Sequence, residues 1–202
     1  MKIHILFGMI GFILLSGCNR AAEKNPRFYD ADVSRELAGH RKAQIKNLKY
    51  ELSFNIPRQK EAAIEGDITL RFDLASRQEV LIDFREEREK IKEVIANGVP
   101  VDKVRFENEH IILPASSTVE GANGIRIRFT AGNQSLNRND EYLYTLLVPD
   151  RARTVFPCFE QPNLKAEFTL QLELPADWKA VSNTYIRSET VTDDRKTVWF
   201  AT

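Results

Sequence analysis

Two stretches of the chain, 48–56 and 64–74, alternate apolar and polar residues at every step. Leu48, Tyr50, Leu52, Phe54 and Ile56 make the first apolar row, with Lys49, Glu51, Ser53 and Asn55 between them. Ile64, Gly66, Ile68, Leu70, Phe72 and Leu74 make the second, interleaved with Glu65, Asp67, Thr69, Arg71 and Asp73. On a helix such rows would wind round the whole cylinder and leave no face to bury; on a strand they fall on one side and the charges on the other. One dry face and one wet face is the pattern of antiparallel sheet. Pro57, with no N–H for a ladder, closes the first strand.

The same period continues in shorter pieces. Val80, Ile82 and Phe84 suggest a third strand, followed by a charge run over 85–90 that reads as a solvated loop or edge. Apolar segments 91–96 and 99–101 flank Asn97-Gly98, a dipeptide suited to positive φ at both turn positions, so a tight hairpin is predicted. A second pair, Val104 with Phe106 and then 111–113, faces itself about Asn108-Glu109. Gly121 to Gly124 reads as a turn into Ile125, Ile127 and Phe129; 132–141 as a polar loop; and 142–148, 178–182, 191–196 and 197–200 as further strands. One helix is predicted over 33–44, capped by Ser34 or Asp32 and weakened by Gly39. About a dozen short strands and one short N-terminal helix make an all-β chain, an antiparallel β-sandwich or a saddle-shaped curved sheet.

One segment breaks the alternation. Pro157 and Pro162 bracket Cys158, Phe159, Glu160 and Gln161, with Val155 and Phe156 just before. Two prolines bar it from a central strand or a helix interior, yet its side chains avoid water, so it reads as a tight apolar bend. Beyond it Phe168, Leu170, Leu172 and Leu174 resume the period of a strand.

The bend carries a resemblance. Ala152-Arg153, Phe156-Pro157-Cys158-Phe159-Glu160-Gln161-Pro162, Lys165-Ala166 and Phe168 resemble the motif of the aminopeptidase N family of zinc metallopeptidases (peptidase family M one), with Glu160-Gln161 in place of the usual Asp-Glu. The resemblance implies a saddle-like β domain over 33–202 that precedes a thermolysin-like catalytic domain, which the sequence ends before reaching. It implies zinc and a peptide substrate for the parent enzyme and no cofactor in this chain. The last strand stops at Thr202 without a turn signal, as in a truncated sequence. Arg153 and Lys165 match family positions and are expected to be structural partners at the bend. Many members place a Gln or Glu ten residues before the motif cysteine, to hold the substrate's free amine, and often another Gln two residues earlier. Here those positions are Val148 and Leu146, neither of which can accept a hydrogen bond through its side chain. Asp140 and Glu141 are the nearby candidates to replace them.

The N-terminus has its own pattern. Lys2 precedes an apolar run over 3–15, interrupted by His4, Gly8 and Gly11, that is shorter than the roughly 20 residues of a spanning helix. It ends in Leu15-Ser16-Gly17-Cys18, which resembles the bacterial lipobox. Residues 1–17 are thus expected to be a lipoprotein signal peptide, Cys18 the lipidated first mature residue and 18–32 a tether, placing the protein in the bacterial cell envelope. Lysines and arginines number 29, as do aspartates and glutamates, so no basic excess points to nucleic acid or to a polybasic membrane patch. With Cys18 lipidated, Cys158 has no disulfide partner and reads as a buried small hydrophobe.

Little chemistry is visible within the chain. A zinc peptidase needs two His one helical turn apart with a Glu between. His4, His40 and His110 stand alone; the latter two are expected at the surface, and H-E-x-x-H is not formed. The pairs Glu86-Glu87 and Asp193-Asp194 lie where loops are expected, with nothing apolar beside them to raise a pKa. Catalytic and metal-binding residues are therefore expected to be none. Three functions remain open: the non-catalytic N-terminal domain of a membrane-anchored zinc aminopeptidase, a stand-alone lipoprotein that binds or scaffolds, and a relative that has lost peptidase activity.

Overall fold

The computed structural model describes residues 26–102 and 104–202. The signal sequence, Cys18 and the tether up to residue 25 lie outside the described residues. A 3-10 turn at Pro26–Tyr29 leads into α1 (Arg35–Gln44). Of the two candidate caps Ser34 is used: its hydroxyl accepts the Leu37 N–H at 3.1 Å. Glu36 in the first turn and Arg41 and Lys42 in the last complement the helix dipole. Leu37 and Arg41, one turn apart, are the buried side.

The strands follow as β1 (Ile45–Asn55), β2 (Glu65–Leu74), β3 (Val80–Asp83), β4 (Ile91–Ala96), β5 (Val99–Pro100), β6 (Arg105–Glu107), β7 (His110–Leu113), β8 (Gly121–Thr130), β9 (Leu136–Arg138), β10 (Leu143–Thr145), β11 (Glu167–Pro175), β12 (Ile186–Thr192) and β13 (Arg195–Phe200). Eight form one sheet in the order β12-β13-β11-β1-β2-β8-β4-β5; β3, β7 and β6 form a second, and β9 with β10 a two-stranded ribbon. The all-β, mainly antiparallel, two-layer architecture is as expected. One pairing is not: β1 and β11 run parallel, with Tyr50 beside Phe168 and Leu52 beside Leu170. Every strand from β2 to β10 lies between them in sequence, and a connection that long can bring the chain back in the same direction.

Both predicted two-residue turns form. Asn97 and Gly98 have φ of 52° and 80°, and Asn108 and Glu109 of 47° and 68°. The final hairpin turns at Asp193-Asp194, so its first strand starts earlier than the apolar residues suggest. Residues 178–182 form no strand, and 142–148 contains only the three residues of β10. Gly121–Gly124 does not turn but pairs with 71–74 of β2, whose length leaves a ladder for it to complete.

The two long alternating rows behave as their period requires. Leu48, Tyr50, Leu52, Ile68, Leu70 and Phe72 are buried and meet Ile82, Ile111 and Leu113 from the smaller sheet in one core. The opposite face is a cross-strand ladder of charge: Lys49 pairs with Glu167 at 2.8 Å, Arg71 with Glu51 at 2.6 Å, Arg126 with Asp67 at 2.6 Å and Arg195 with Glu173 at 3.3 Å. Such exposed pairs stabilise by well under about 1 kcal/mol each. They mark a face already satisfied by its own partners and by water.

The boundary drawn at residue 33 moves towards the N-terminus. Asn108 donates to the Tyr29 carbonyl at 2.6 Å, His110 Nε2 to the Asp30 carbonyl at 3.0 Å, and Arg153 pairs with Asp32. Residues 29–32, assigned to the tether from composition, are strapped across the end of the smaller sheet.

Candidate functional site

The proline-bracketed segment is the joint between the two sheets. After a 3-10 turn at Ala152–Thr154, residues Val155 to Phe159 are all buried. Cys158 bridges to β3 through both backbone bonds: Asp83 N–H to Cys158 O at 2.8 Å and Cys158 N–H to Asp83 O at 3.0 Å. The Phe159 N–H donates to the Tyr50 hydroxyl at 2.9 Å, and Gln161 Nε2 reaches the Ala38 carbonyl in α1 at 3.1 Å. Pro157 is buried and Pro162 exposed. Burial, then the charges of Glu160 and Asp83, push the Cys158 thiol well up, which disfavours the thiolate a nucleophile needs.

Behind the joint sits a fully buried ion cluster. Arg41 forks onto Asp83, Nη1 to Oδ2 at 2.8 Å and Nη2 to Oδ1 at 2.6 Å, with Nη2 also on the Leu81 carbonyl at 2.8 Å. His110 Nδ1 lies 2.8 Å from Asp83 Oδ1, and the Glu160 N–H donates to Oδ2 at 2.8 Å. Burial acts to raise the Asp83 carboxyl, but the Arg41 charge and the His110 and Arg41 hydrogen bonds outweigh it and hold it at about 2. His110 is therefore not a surface residue as its isolation in sequence suggests; it is 0 % exposed. Reading by motif missed this cluster. The signal was present: Asp83 is the one charge in the run Val80-Leu81-Ile82-Asp83-Phe84, and a carboxylate in a buried strand requires cations.

Of the two basic motif residues, Arg153 is buried and pairs with Asp32 and, at 2.9 Å, with Glu109. Lys165 is exposed and makes no ion pair among the described residues. Glu160 is half-buried and accepts the Arg153 N–H at 2.8 Å. Glu86 pairs with Lys90 at 2.6 Å, and Asp193-Asp194 is the tip of a hairpin. Neither acidic pair is built as an acid/base site.

Among the described residues no group of three or more His, Cys, Asp or Glu could hold a metal ion. His110 and Asp83 come nearest, but their polar atoms already face Arg41, the Glu160 N–H and the Asp30 carbonyl. The zinc of the resembling family does not fit the side chains of the described residues.

Large apolar side chains just before and just after the joint are left uncovered. Tyr142, Tyr144, Leu146 and Val148 are exposed, Val148 at 78 %, and Asp140 and Glu141 beside them are exposed too. Phe168, next to Tyr50 on the core-facing side of the large sheet, is 43 % exposed. Leu170 and Leu172 are half-buried, and Ile186 and Val191 on β12 extend the same face beyond its cover. A hollow of about 240 Å³ lies at the joint, lined by Tyr50, Pro149, Phe156, Glu160, Lys165 and Phe168 among others. A second, of about 370 Å³, borders α1 between Phe28, Leu37, His40 and Gln78.

Comparison with known proteins agrees with this architecture. A family model described as the peptidase M1 N-terminal domain matches residues 46–202. Aminopeptidase N of Streptomyces lividans is 32% identical over 166 residues, which cover 75% of this chain and 19% of that protein. Leucine aminopeptidase 2 of Candida glabrata is 25% identical over 156 residues, covering 68% and 23%. The crystal structure of an M1 zinc metallopeptidase from Deinococcus radiodurans shares the fold with a TM-score of 0.65 at 19% identity, over 78% of this chain and 38% of that one. The chain thus spans about a fifth of the length of these curated relatives.

Proposed function

The chain belongs to the peptidase M1 N-terminal domain family, and on that footing we propose that it is the non-catalytic β domain of a lipid-anchored zinc aminopeptidase that removes N-terminal residues from peptides. The observation that carries this reading is the uncovered apolar flank from Tyr142 to Val148 and across Phe168. Exposed apolar side chains gathered on both sides of the joint make a surface that water disfavours, and that surface seats a second body. In this reading the second body holds the zinc, and the flank forms one wall of the peptide cleft. By the motif resemblance, Val148 and Leu146 occupy the positions expected to offer an amide or carboxylate to the substrate amine. That contact then falls to Asp140 or Glu141, both exposed in the adjoining loop.

The test is to express the full reading frame and the 202-residue chain side by side. The full product is expected to hydrolyse an aminoacyl chromogenic substrate in a chelator-sensitive way, and the shorter chain not at all. Hydrolysis by the shorter chain, or none by the full product, would overturn the assignment. The anchor is tested separately. Cys18→Ser should move the protein from the membrane to the soluble envelope fraction, since without acyl chains nothing in its charge balance holds it there. Unchanged fractionation would remove the lipid from the proposal.

A further inference from the structure

We propose that the hollow at the proline-bracketed joint is a socket for one arginine or lysine side chain of the body that covers this flank, with Glu160 as its anion and Phe168 as its aromatic wall. The inference rests on the reading of the chain as one module of a larger peptidase.

Among the described residues, several buried or half-buried carboxylates are paired with cations: Asp83 with Arg41, Glu86 with Lys90, Glu79 with Arg105 and Glu109 with Arg153. Glu160, at the joint, has no such partner. It is half-buried, yet among the described residues no lysine or arginine side chain pairs with it. Burial pushes its carboxyl up, and the Arg153 N–H and the more distant Arg153 charge only partly offset this. Asp83 and Asp150 add to the negative charge around it. An anion left this way costs stability until a cation meets it.

Its position says what the cation looks like. Glu160 shares the 240 Å³ hollow with Phe156, Pro149, the exposed ring of Phe168 and Lys165, whose ammonium makes no ion pair with it. An aliphatic stem suits the apolar floor, and a guanidinium or ammonium head can lie between the carboxylate and the aromatic ring. An acidic group would meet Glu160 as a like charge, and an apolar one would bury it unpaired. The chain spans about a fifth of its curated relatives, so polypeptide beyond it is the natural donor.

Glu160→Gln tests the socket, because it keeps the acceptor for the Arg153 N–H and removes the charge. In the 202-residue chain it should raise the thermal midpoint by about 2 °C, since the uncompensated anion is gone. In the full reading-frame product the sign reverses. Amide hydrogen exchange over 159–168 should be slower there than in the shorter chain, and Glu160→Gln should speed it about tenfold, while Lys165→Gln leaves it unchanged. Equal protection in the wild-type and Glu160→Gln full products would overturn the socket and leave the covering body in place. Loss of protection in Lys165→Gln, or a lowered midpoint in the shorter Glu160→Gln chain, would mean that the chain compensates Glu160 itself, and would also overturn it. Identical exchange in the two wild-type products would remove the covering body and the socket together.

Discussion

Asp83→Ala is expected to destabilise the fold by about 3–5 kcal/mol, read as a fall in the urea midpoint with an unchanged slope. The magnitude comes from what is left behind. Asp83 takes two bonds from Arg41, one from His110 and one from the Glu160 N–H, all away from water. Alanine strands these donors, one of them a buried guanidinium, with no acceptor and no solvent. Asp83→Asn keeps the size and one acceptor oxygen and should cost less. Acid provides an independent reading. Asp83 in the folded chain is held at about 2, below its ordinary 3.8. As pH falls, the unfolded chain binds the proton first, so the contribution is whole above 3.8 and drains away towards 2. The wild-type chain should lose stability steeply across that interval and Asp83→Ala much less. Parallel pH profiles for the two would show that the cluster does not hold Asp83 ionised.

That cluster also marks where sequence stops being informative. The alternating rows of β1 and β2 were legible because a sheet with one wet face has a period that side-chain chemistry must obey. Asn97-Gly98 was legible because few residues accept positive φ twice in succession, and Asn108-Glu109 only because two apolar segments flank it. The bend at 156–162 was legible as a bend because proline acts locally. What the bend touches was not. Asp83, Arg41 and His110 come from β3, α1 and β7, and no local rule brings them together. His110, alone between a turn and a strand, has the sequence environment of a surface residue and the spatial environment of a core. The parallel β1–β11 pair is likewise set by the path of the intervening chain. The flank was legible only by default: nothing in Tyr142, Tyr144, Leu146 and Val148 distinguishes residues awaiting a partner from residues of an ordinary strand.

Phe129→Ala should cost about 3–5 kcal/mol, and its coupling to Gly66 identifies the cause. In register across three neighbouring strands stand Phe54 on β1, Gly66 on β2 and Phe129 on β8. The fully buried ring of Phe129 lies over Gly66, in the space where a Cβ would stand. It meets Phe54 edge-on at 6.1 Å and Phe84 at 5.7 Å. Glycine inside a strand is unfavourable by roughly 0.5–1 kcal/mol relative to alanine, so this glycine is retained for the ring it admits. Gly66→Ala alone should therefore destabilise by about 1–3 kcal/mol, since a ring locked between two others cannot step aside. In the Phe129→Ala background the conflict is gone, and Gly66→Ala should become neutral or mildly stabilising. A double-mutant cycle by urea unfolding should return a coupling of about 1–3 kcal/mol; additivity to within about 0.5 kcal/mol would show that the ring is not seated there. The consequence reaches the flank. Phe54 touches Phe156 at 6.3 Å, and Phe156 touches Phe168 at 6.4 Å. A packed row of rings thus runs from Gly66 to Phe168, the exposed residue of the proposed docking surface. Loosening Phe129 should speed amide exchange over 156–168 while sparing the far hairpin at Asn97-Gly98, because close-packed rings pass a displacement to the neighbours they touch.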